Sequence, residues 1–247
     1  MKFSLLTFDI LDSTNTEALN RARLGADEGV CVVARQQTAG RGRYGRTWVS
    51  ERDAGLYFSV LLRPIIKAHD LSLITLMAGI AVHDTLETFD IDADIKWVND
   101  VLINEKKIAG ILADTTDTSD GLAVIVGIGI NLKSSSFPPD LVATATCIED
   151  TTPTIVTRDE LIEVLMRHVG NYYDMLQSEN GPAMIVENWA QRSSYSSGKI
   201  VRVTLENETV TGSTDGLESN GALRIKRSDG TVAIIQAGDV EQVRAAI

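Results

Sequence analysis

A glycine- and arginine-rich segment is the first place where this sequence could do chemistry. Residues 35–50 contain four arginines and no acid, although the chain carries a formal net charge of −11 at pH 7. Arginine offers a permanently charged planar fork for phosphate or carboxylate, and glycine lets a backbone approach a ligand closely. The segment predicts a loop that binds a polyanion such as a nucleoside triphosphate and is mobile until an anion neutralises it. A solvated basic loop and an RNA-binding loop are the open alternatives.

The same segment matches the pattern Gly-x-Gly-x-x-Gly at Gly40, Gly42 and Gly45. The dinucleotide fingerprint needs a helix that opens at these glycines. Here the β-like run Arg-Thr-Trp-Val-Ser follows, and three arginines lie inside or beside the turn. The pattern therefore argues against a Rossmann site.

Three other segments combine polar or small residues with apolar runs. Lys96 lies in an apolar strand, where burial is costly without a partner, although a lysine that reaches the surface is the alternative. Gly127 and Gly129 alternate with aliphatic residues, which indicates close approach of a ligand or of another backbone, as at a crowded sheet crossing. Residues 12–15 cap a first helix, with a capping box predicted at Thr14–Glu17, and could also bind a polar ligand.

Taken in order, these four segments resemble the biotin protein ligase family. The resemblance runs from about residue 5 to the end, and the part from residue 198 is similar to the family's SH3-like β-barrel. The matching motifs are Asp12-Ser13-Thr14-Asn15, Gln37-Thr38-Ala39-Gly40-Arg41-Gly42-Arg43 with Trp48, Lys96-Trp97-Val98-Asn99-Asp100 with Lys107 to Leu112, and Gly127-Ile128-Gly129-Ile130-Asn131.

The resemblance implies an ATP-dependent ligase. Such an enzyme makes biotinyl-5′-AMP and pyrophosphate from biotin, ATP and Mg²⁺, and then transfers biotin to a lysine of a biotin carboxyl carrier domain. A lipoate or octanoate ligase of the same superfamily is the nearest alternative, and a non-catalytic nucleotide- or RNA-binding module is the alternative from another class. No covalent enzyme intermediate is needed, and Asp100 or solvent could take the proton from the attacking amine.

The resemblance also implies the site residues. Lys96 and Arg43 would be the catalytic cations, and Mg²⁺ would enter with ATP, without an assigned metal ligand of the protein. The residues expected at biotin are Ser13, Thr14, Asn15, Gln37, Arg41, Gly42, Arg43, Lys96, Gly110 and Gly127. The residues expected at ATP are Arg43, Arg46, Trp48, Asn99, Lys107 and Asn131.

The chain departs from the family pattern at two places. Val98 stands where the family usually has proline, which costs about 0.5–1 kcal/mol of preorganisation near Lys96. The first motif begins at residue 12, which leaves no room before it for the helix-turn-helix that many bacterial members carry, so we expect no DNA partner. A homodimer is expected from the family.

The elements that must position these residues indicate an α+β protein. The predicted strands are 3–10, 30–34, 55–63, 95–98, 101–103, 107–113 and 122–132, with a hairpin turn at 104–106 and a polar turn at 115–121. The predicted helices are 15–24, 71–89, a helix opened by a capping box at Thr157–Glu160, and 182–190. This order predicts a mixed, mostly antiparallel sheet flanked by helices, and the resemblance adds a class II synthetase-like catalytic fold.

The last 50 residues change character. Short β-runs alternate with the turn pairs Asn207-Glu208, Asp215-Gly216, Asn220-Gly221 and Asp229-Gly230, which predicts a small β-barrel. We therefore expect a catalytic domain at 1–193 and a barrel at 194–247. No stretch reaches the ~20 apolar residues of a membrane span, and the two cysteines, Cys31 and Cys147, are isolated. We expect a cytoplasmic protein with no membrane partner, no zinc site and reduced thiols.

Overall fold

The computed structural model describes residues 1–205 and 208–242. Within them lie two β-sheets and four α-helices. The strands are β1 Ser4–Leu11, β2 Val30–Gln37, β3 Gly55–Leu62, β4 Asp94–Lys96, β5 Asp100–Ile103, β6 Lys106–Thr118, β7 Gly121–Asn131, β8 Ser197–Thr204, β9 Thr209–Leu217, β10 Leu223–Lys226, β11 Val232–Ile235 and β12 Asp239–Gln242. The helices are α1 Thr14–Arg23, α2 Leu73–Glu87, α3 Arg158–Leu176 and α4 Gly181–Gln191.

The larger sheet has seven strands in the order β1-β2-β3-β7-β6-β5-β4. Only β1 and β2 are parallel neighbours in it, and every other pair is antiparallel. A mixed, mostly antiparallel sheet flanked by helices is what the sequence predicts, so the α+β class is confirmed.

The two faces of this sheet are both buried, because side chains alternate along each strand. Val32, Leu61 and Ile125 pack under α1 with Ala18 and Ala22. Their strand neighbours face the other way, into the larger core under α2, α3 and α4. Helix α2 has 11 of its 15 residues buried, as its continuous apolar sequence predicts.

The functional motifs gather at one end of the sheet, on the α1 face. Parallel pairing places Leu11 and Gln37, near the carboxyl ends of β1 and β2, side by side. The pairing continues beyond the strands, because Thr38 N and Ala39 N donate to the carbonyls of Leu11 and Asp12, at 2.9 and 2.8 Å. The start of α1 therefore lies next to the arginine-rich segment.

Three details of the predicted elements are wrong. Ser13 is the N-cap residue of α1 without a side-chain cap bond, and Glu17 pairs with Arg21 instead of closing a capping box. Residues 115–118 continue β6, because they still pair with β7 beyond the core, and the turn is confined to 119–120. Asp215-Gly216 lies inside β9 beside a shift in register with β10, so this pair forms an irregularity within a strand.

Other predicted details are confirmed. The capping box at Thr157–Glu160 opens α3, and the β5–β6 hairpin turns at Asn104 and Glu105, both with positive φ. Positive φ at both central residues is typical of the tight hairpin turn. Among the predicted C-terminal turns, Asn220-Gly221 and Asp229-Gly230 separate β9, β10 and β11, whereas Asn207 lies outside the described residues.

The C-terminal strands form a second, antiparallel sheet in the order β11-β10-β9-β8-β12. Strands β11 and β12 are its edges in this order, so a closed barrel and the boundary at 193–194 stay predictions. The C-terminal part of the chain packs on the part that carries the larger sheet: Trp97 Nε1 donates to Gly221 O at 2.9 Å, and Lys199 Nζ lies 2.6 Å from Glu105 Oε1. No helix in the described part of the chain is long and apolar enough to cross a bilayer.

Candidate active site

A cavity of about 220 Å³ opens on the α1 face of the large sheet. Its floor is made by alternate residues of three adjacent strands, because residues of one parity on each strand face the same side. The floor residues are Tyr57 of β3, Gly127, Gly129 and Asn131 of β7, and Gly110 and Leu112 of β6. The walls come from the start of α1, the arginine-rich segment and residues 136–145.

One end of the cavity is polar and buried. Thr14 N donates to Gln37 Oε1 at 2.8 Å, and Gln37 Nε2 donates to Ser50 Oγ at 2.8 Å. Ser59 Oγ lies 2.7 Å from Thr14 Oγ1 and 2.6 Å from Asn15 Oδ1. These contacts hold the side chains of a helix start, where backbone N–H groups also point outward, in one fixed arrangement.

The arginine-rich segment folds into a hairpin over the cavity. Arg41 and Thr47 form an antiparallel bridge, and Gly42 N donates to Arg46 O at 2.7 Å. At the tip Tyr44 and Gly45 have φ of 55° and 73°, the left-handed region that a tight turn requires.

Each arginine of this hairpin already has an acceptor in the protein. Arg43 Nη1 donates to Asn99 Oδ1 at 3.0 Å, and its Nη2 donates to Tyr44 OH at 3.0 Å. Arg46 pairs with Asp239, and Arg41 pairs with Asp114. The protein itself therefore neutralises part of the positive charge of the segment, through carboxylates that are distant in the sequence. The mobility of the segment stays a prediction.

Trp48 covers the glycines of the floor. A β-carbon at Gly129 would lie 2.5 Å from the indole, and one at Gly110 would lie 3.0 Å from it. A β-carbon at Gly127 would collide with the amide of Asn15. The alternating glycines thus make room for the protein's own side chains as well as for a ligand beside them.

Asp100 sits between two lysines at the edge of the cavity. Lys107 Nζ lies 2.6 Å from Asp100 Oδ1 and 5.4 Å from the centre of the Trp48 ring. Lys96 Nζ lies 3.9 Å from Asp100 Oδ2. Lys96 is a partly buried neighbour of the cavity and does not belong to its lining, although Asp100 does.

The cavity is cationic in an acidic chain. Its charged lining consists of Arg41, Arg43, Arg46, Lys107, Asp100 and Asp239. Four cations against two carboxylates favour a ligand with negative charge. Trp48 Nε1 is buried without an acceptor in the described part of the chain, so it could donate to a ligand.

The cavity brings together every predicted site residue except Lys96. The motifs did not supply Ser59, Asp114 or Asp239, which bond to motif residues. Asp114 could have been found, because it follows Gly110 and Leu112 at a spacing of two and so faces the same side as they do. Asp239 could not, since nothing local in the sequence links it to residue 46.

The remaining candidate groups do not form a second reactive site. Cys31 and Cys147 are free and buried, and burial raises the pKa of each thiol to about 12. Within residues 1–205 and 208–242, no three His, Cys, Asp or Glu side chains are grouped so that they could hold a metal ion.

Comparison with known proteins agrees with this geometry. Residues 7–131 match the model of the biotin/lipoate A/B protein ligase family, and residues 196–242 match the model of the biotin protein ligase C-terminal domain. The first match contains the α1 start, the arginine hairpin and the strands of the cavity floor.

Three similar proteins illustrate the relationship. The bifunctional ligase/repressor BirA of Bacillus subtilis is 35% identical over 96% of this chain and 73% of that protein. A biotin--[acetyl-CoA-carboxylase] ligase of Paracoccus denitrificans is 34% identical over 93% of this chain and 96% of that protein. The structure of the biotin protein ligase of Aquifex aeolicus in complex with biotin and ATP is 29% identical, with a TM-score of 0.83 over 98% of this chain and 99% of that chain. The chain therefore belongs to the biotin/lipoate protein ligase family, and within it to the biotin protein ligases.

Proposed function

We propose that this chain is a biotin–protein ligase, which activates biotin with ATP and transfers it to a lysine of a biotin carboxyl carrier domain. One observation carries the proposal: a single cavity joins a buried polar end to a cationic hairpin, so groups suited to a polar ring and groups suited to a polyphosphate line the same space. The similar proteins include a ligase named for acetyl-CoA carboxylase and a structure that contains biotin and ATP.

Biotin occupies the polar end in this proposal. The ring lies against Ser13, Thr14, Asn15 and Gln37, and its acyl chain runs along Gly110 and Gly127 towards the hairpin. Arg41, Gly42 and Arg43 cover it, and Lys96 meets the carboxylate. The support is that all of these residues except Lys96 line one cavity and that Lys96 lies beside Asp100, which also lines it.

ATP occupies the hairpin end. Arg43, Arg46 and Lys107 face the phosphates, while Trp48, Asn99 and Asn131 surround the nucleoside. Asn131 also donates to Thr146 O at 2.9 Å and so holds the neighbouring wall in place. Mg²⁺ comes with ATP as its complex, and it supplies further positive charge at the phosphates.

The first step joins two anions. A carboxylate oxygen of biotin attacks the α-phosphorus, a P–O bond forms, and the bond to the β-phosphate breaks with release of pyrophosphate. Lys96 and Arg43 lower the repulsion between the reactants and stabilise the charge that builds at phosphorus. The hairpin excludes water, which would otherwise hydrolyse the mixed anhydride.

The second step forms an amide. The amine of the carrier lysine attacks the acyl carbon, AMP leaves, and the proton of the amine passes to Asp100 or to solvent. We propose that the carrier is recognised by local shape and charge, because such domains are often acidic and this chain carries a net charge of −11.

The cellular setting belongs to the same proposal. The chain acts in the cytoplasm on a soluble carrier, as a homodimer, and without a DNA or membrane partner. The acidic net charge supports the absence of general attraction to DNA or to anionic lipid. Sedimentation at micromolar concentration tests the dimer, and operator-specific DNA binding by the purified chain would contradict the proposal.

The direct test of the whole reaction uses a purified carrier domain with biotin and Mg-ATP. We expect a mass increase of one biotinyl group, confined to one lysine, and no increase when that lysine is replaced by arginine. The alternative is lipoate or octanoate transfer, and the description of the family model names lipoate beside biotin. The C-terminal match to a biotin protein ligase domain favours biotin.

A further inference from the structure

We infer that Asp114 and Ser59 are positioning residues that determine which hydrogen-bonding atoms the polar end of the cavity presents to its ligand. Neither belongs to the motifs that supplied the other site residues. The inference rests on the proposed function, because it takes biotin as the ligand. It concerns the selection of a ring that carries N–H donors.

Asp114 fixes the orientation of the Asn15 amide. Asn15 Nδ2 lies 2.9 Å from Asp114 Oδ2 and 3.3 Å from Leu112 O. A carboxylate and a carbonyl can only accept, so the nitrogen of the amide must occupy this side. Asn15 Oδ1 is therefore directed away from Asp114, towards Ser59.

Ser59 then directs its own proton, and with it the proton of Thr14, away from the ligand. Its hydroxyl is fully buried and lies 2.6 Å from Asn15 Oδ1, which has no proton to give, so Ser59 donates. The Thr14 hydroxyl has acceptors in Ser59 Oγ at 2.7 Å and Gln37 Oε1 at 3.1 Å. Whichever of these two oxygens accepts, the Thr14 proton is bonded within the protein and is not offered to the ligand.

The result is that two side chains at this end offer lone pairs to a ligand. Thr14 Oγ1 and Asn15 Oδ1 are left as acceptors, and both residues line the cavity. A cyclic urea satisfies such atoms with its ring N–H groups, whereas a dithiolane ring or a plain acyl chain has no donor to offer. The polarity set by Asp114 and Ser59 thus favours biotin over lipoate or octanoate.

The same carboxylate connects this end to the hairpin. Arg41 Nη1 and Nη2 lie 3.0 and 3.3 Å from the two oxygens of Asp114, which is a bidentate pair. One side chain on β6 therefore holds both Asn15 and Arg41. Removal of its charge should affect the ligand pocket more than the stability of the fold, because the pair is partly exposed.

Three variants and one matched control test this assignment. Asp114→Asn and Ser59→Ala alter the network, Asp114→Glu keeps the carboxylate, and Asp117→Asn removes an exposed carboxylate from the opposite face of the same strand. The measurements are KM for biotin, KM for ATP and kcat in ATP–pyrophosphate exchange, direct titration of biotin without ATP, and the melting temperature.

We expect Asp114→Asn and Ser59→Ala to raise KM and Kd for biotin about tenfold, the loss of roughly one hydrogen bond to the ligand. KM for ATP should change less than about twofold. Asp114→Glu should restore most of the affinity, and Asp117→Asn should match the parent. Unchanged Kd for biotin in both variants would overturn the inference, as would a parallel rise in both KM values with a lower melting temperature.

The parent enzyme separates this inference from the proposed function. A parent that exchanges pyrophosphate with biotin, with variants that keep its KM, overturns the inference alone. A parent that binds no biotin and shows no biotin-dependent exchange overturns the proposed function, and the inference falls with it.

Discussion

At the scale of single residues, the site contains cationic side chains that hydrogen bonds and ion pairs hold in place. Arg43 is fixed by an asparagine and by a backbone carbonyl, since its Nη1 lies 3.0 Å from Asn99 Oδ1 and 3.5 Å from Gly238 O. Fixed charge that needs no rearrangement at the moment of reaction is the efficient way to stabilise a charged transition state. Arg43 is thus placed before any ligand arrives.

Replacement of Arg43 tests its role in retaining the adenylate. Arg43→Gly removes the fork that ties the hairpin to Asn99, so we expect biotinyl-AMP to escape and to biotinylate bystander lysines. Mass spectrometry of an added unrelated protein measures this labelling. The exposed Arg52, which pairs with Asp9 and Asp53 away from the cavity, supplies the control Arg52→Gly. Retention of adenylate by Arg43→Gly as tight as that of the parent would remove the hairpin from this role.

Replacement of Lys96 tests the charge at the reacting centre. We expect Lys96→Ala to lower the rate of adenylation by several powers of ten, at least about 100-fold, as the loss of one group that stabilises developing charge does. Its ion pair with Asp100 is long, at 3.9 Å, so urea denaturation should give nearly the parent stability. An unchanged exchange rate would exclude Lys96 from the reaction.

At the scale of elements, the site depends on strands that carry glycine where a side chain must pack. The β7 glycines leave space for Asn15 and Trp48, and the parallel β1–β2 pair brings the helix start next to the hairpin. A third set of contacts lies on the opposite face of the sheet. There Asp84 of α2 accepts hydrogen bonds from Tyr172 of α3 and from Arg192, which follows α4. These contacts determine where the elements lie, and so where the reactive groups are.

The glycine of β7 gives a sharp prediction. Gly129→Ala places a methyl group against the Trp48 indole, so we expect KM for ATP to rise at least about tenfold, with overpacking that costs 1–3 kcal/mol of stability. Gly79→Ala in α2 is the control, because its β-carbon would meet only Ile95 at 3.4 Å. It should leave KM unchanged and raise the free energy of unfolding by about 0.5–1 kcal/mol. An unaltered KM for ATP in Gly129→Ala would contradict the proposed role of Trp48 at the nucleoside.

The Asp84 network predicts a pH dependence of stability. Burial acts to raise the pKa of Asp84, but hydrogen bonds from His83, Arg192 and Tyr172 outweigh it and hold that pKa well below its usual range. Arg192 Nε lies 2.6 Å from one oxygen and Tyr172 OH 2.5 Å from the other. The carboxylate therefore stabilises the fold above about pH 4, and this contribution is lost as the pH falls through the lowered pKa.

Urea denaturation of the Asp84→Asn variant checks this. We expect the free energy of unfolding to fall by about 2 kcal/mol at pH 7, because bonds to a charged group are lost. The difference from the parent should shrink below about pH 4, because the unfolded parent then begins to bind a proton at Asp84 while the folded parent still holds the carboxylate charged. A difference that stays constant down to pH 3 would show that the charge of Asp84 is not the stabilising element.

Sequence reasoning found the site residues that lie in compact motifs and missed those that act across the fold. Gln37, Lys107 and Asn131 could be named because each belongs to a short pattern. Strand alternation then places Asn131 on the same face as Gly127 and Gly129. Asp239 could not be placed, since its contact with Arg46 joins residues 193 apart through the packing of two sheets. The extent of β6 was also missed, because polar residues that pair beyond the core look like a turn in the sequence.

At the scale of the whole molecule, two sheets share one hydrophobic core and meet beside the cavity. Residues of the C-terminal sheet such as Val201 and Ile225 belong to the same buried cluster as Trp97 and Ile95. Asp239 and the carbonyl of Gly238 reach the arginine hairpin from that sheet. The C-terminal part therefore supports the hairpin as well as adding core.

The net charge adds a second property at this scale. The molecule is acidic overall, with a formal net charge of −11, while the cavity has more cations than carboxylates. Anionic substrates are therefore attracted to one place and not to the general surface. This separation suits a reaction between a carboxylate and a triphosphate.

The measurement that tests the central claim most directly is ATP–pyrophosphate exchange by the purified protein with Mg²⁺. It is run with biotin, lipoate, octanoate or no acid. We predict exchange with biotin alone, because the polar end of the cavity fits a ring with N–H donors and the hairpin fits the nucleotide. Exchange with lipoate or octanoate and not with biotin would contradict the substrate, and no exchange with any acid would contradict carboxylate activation itself.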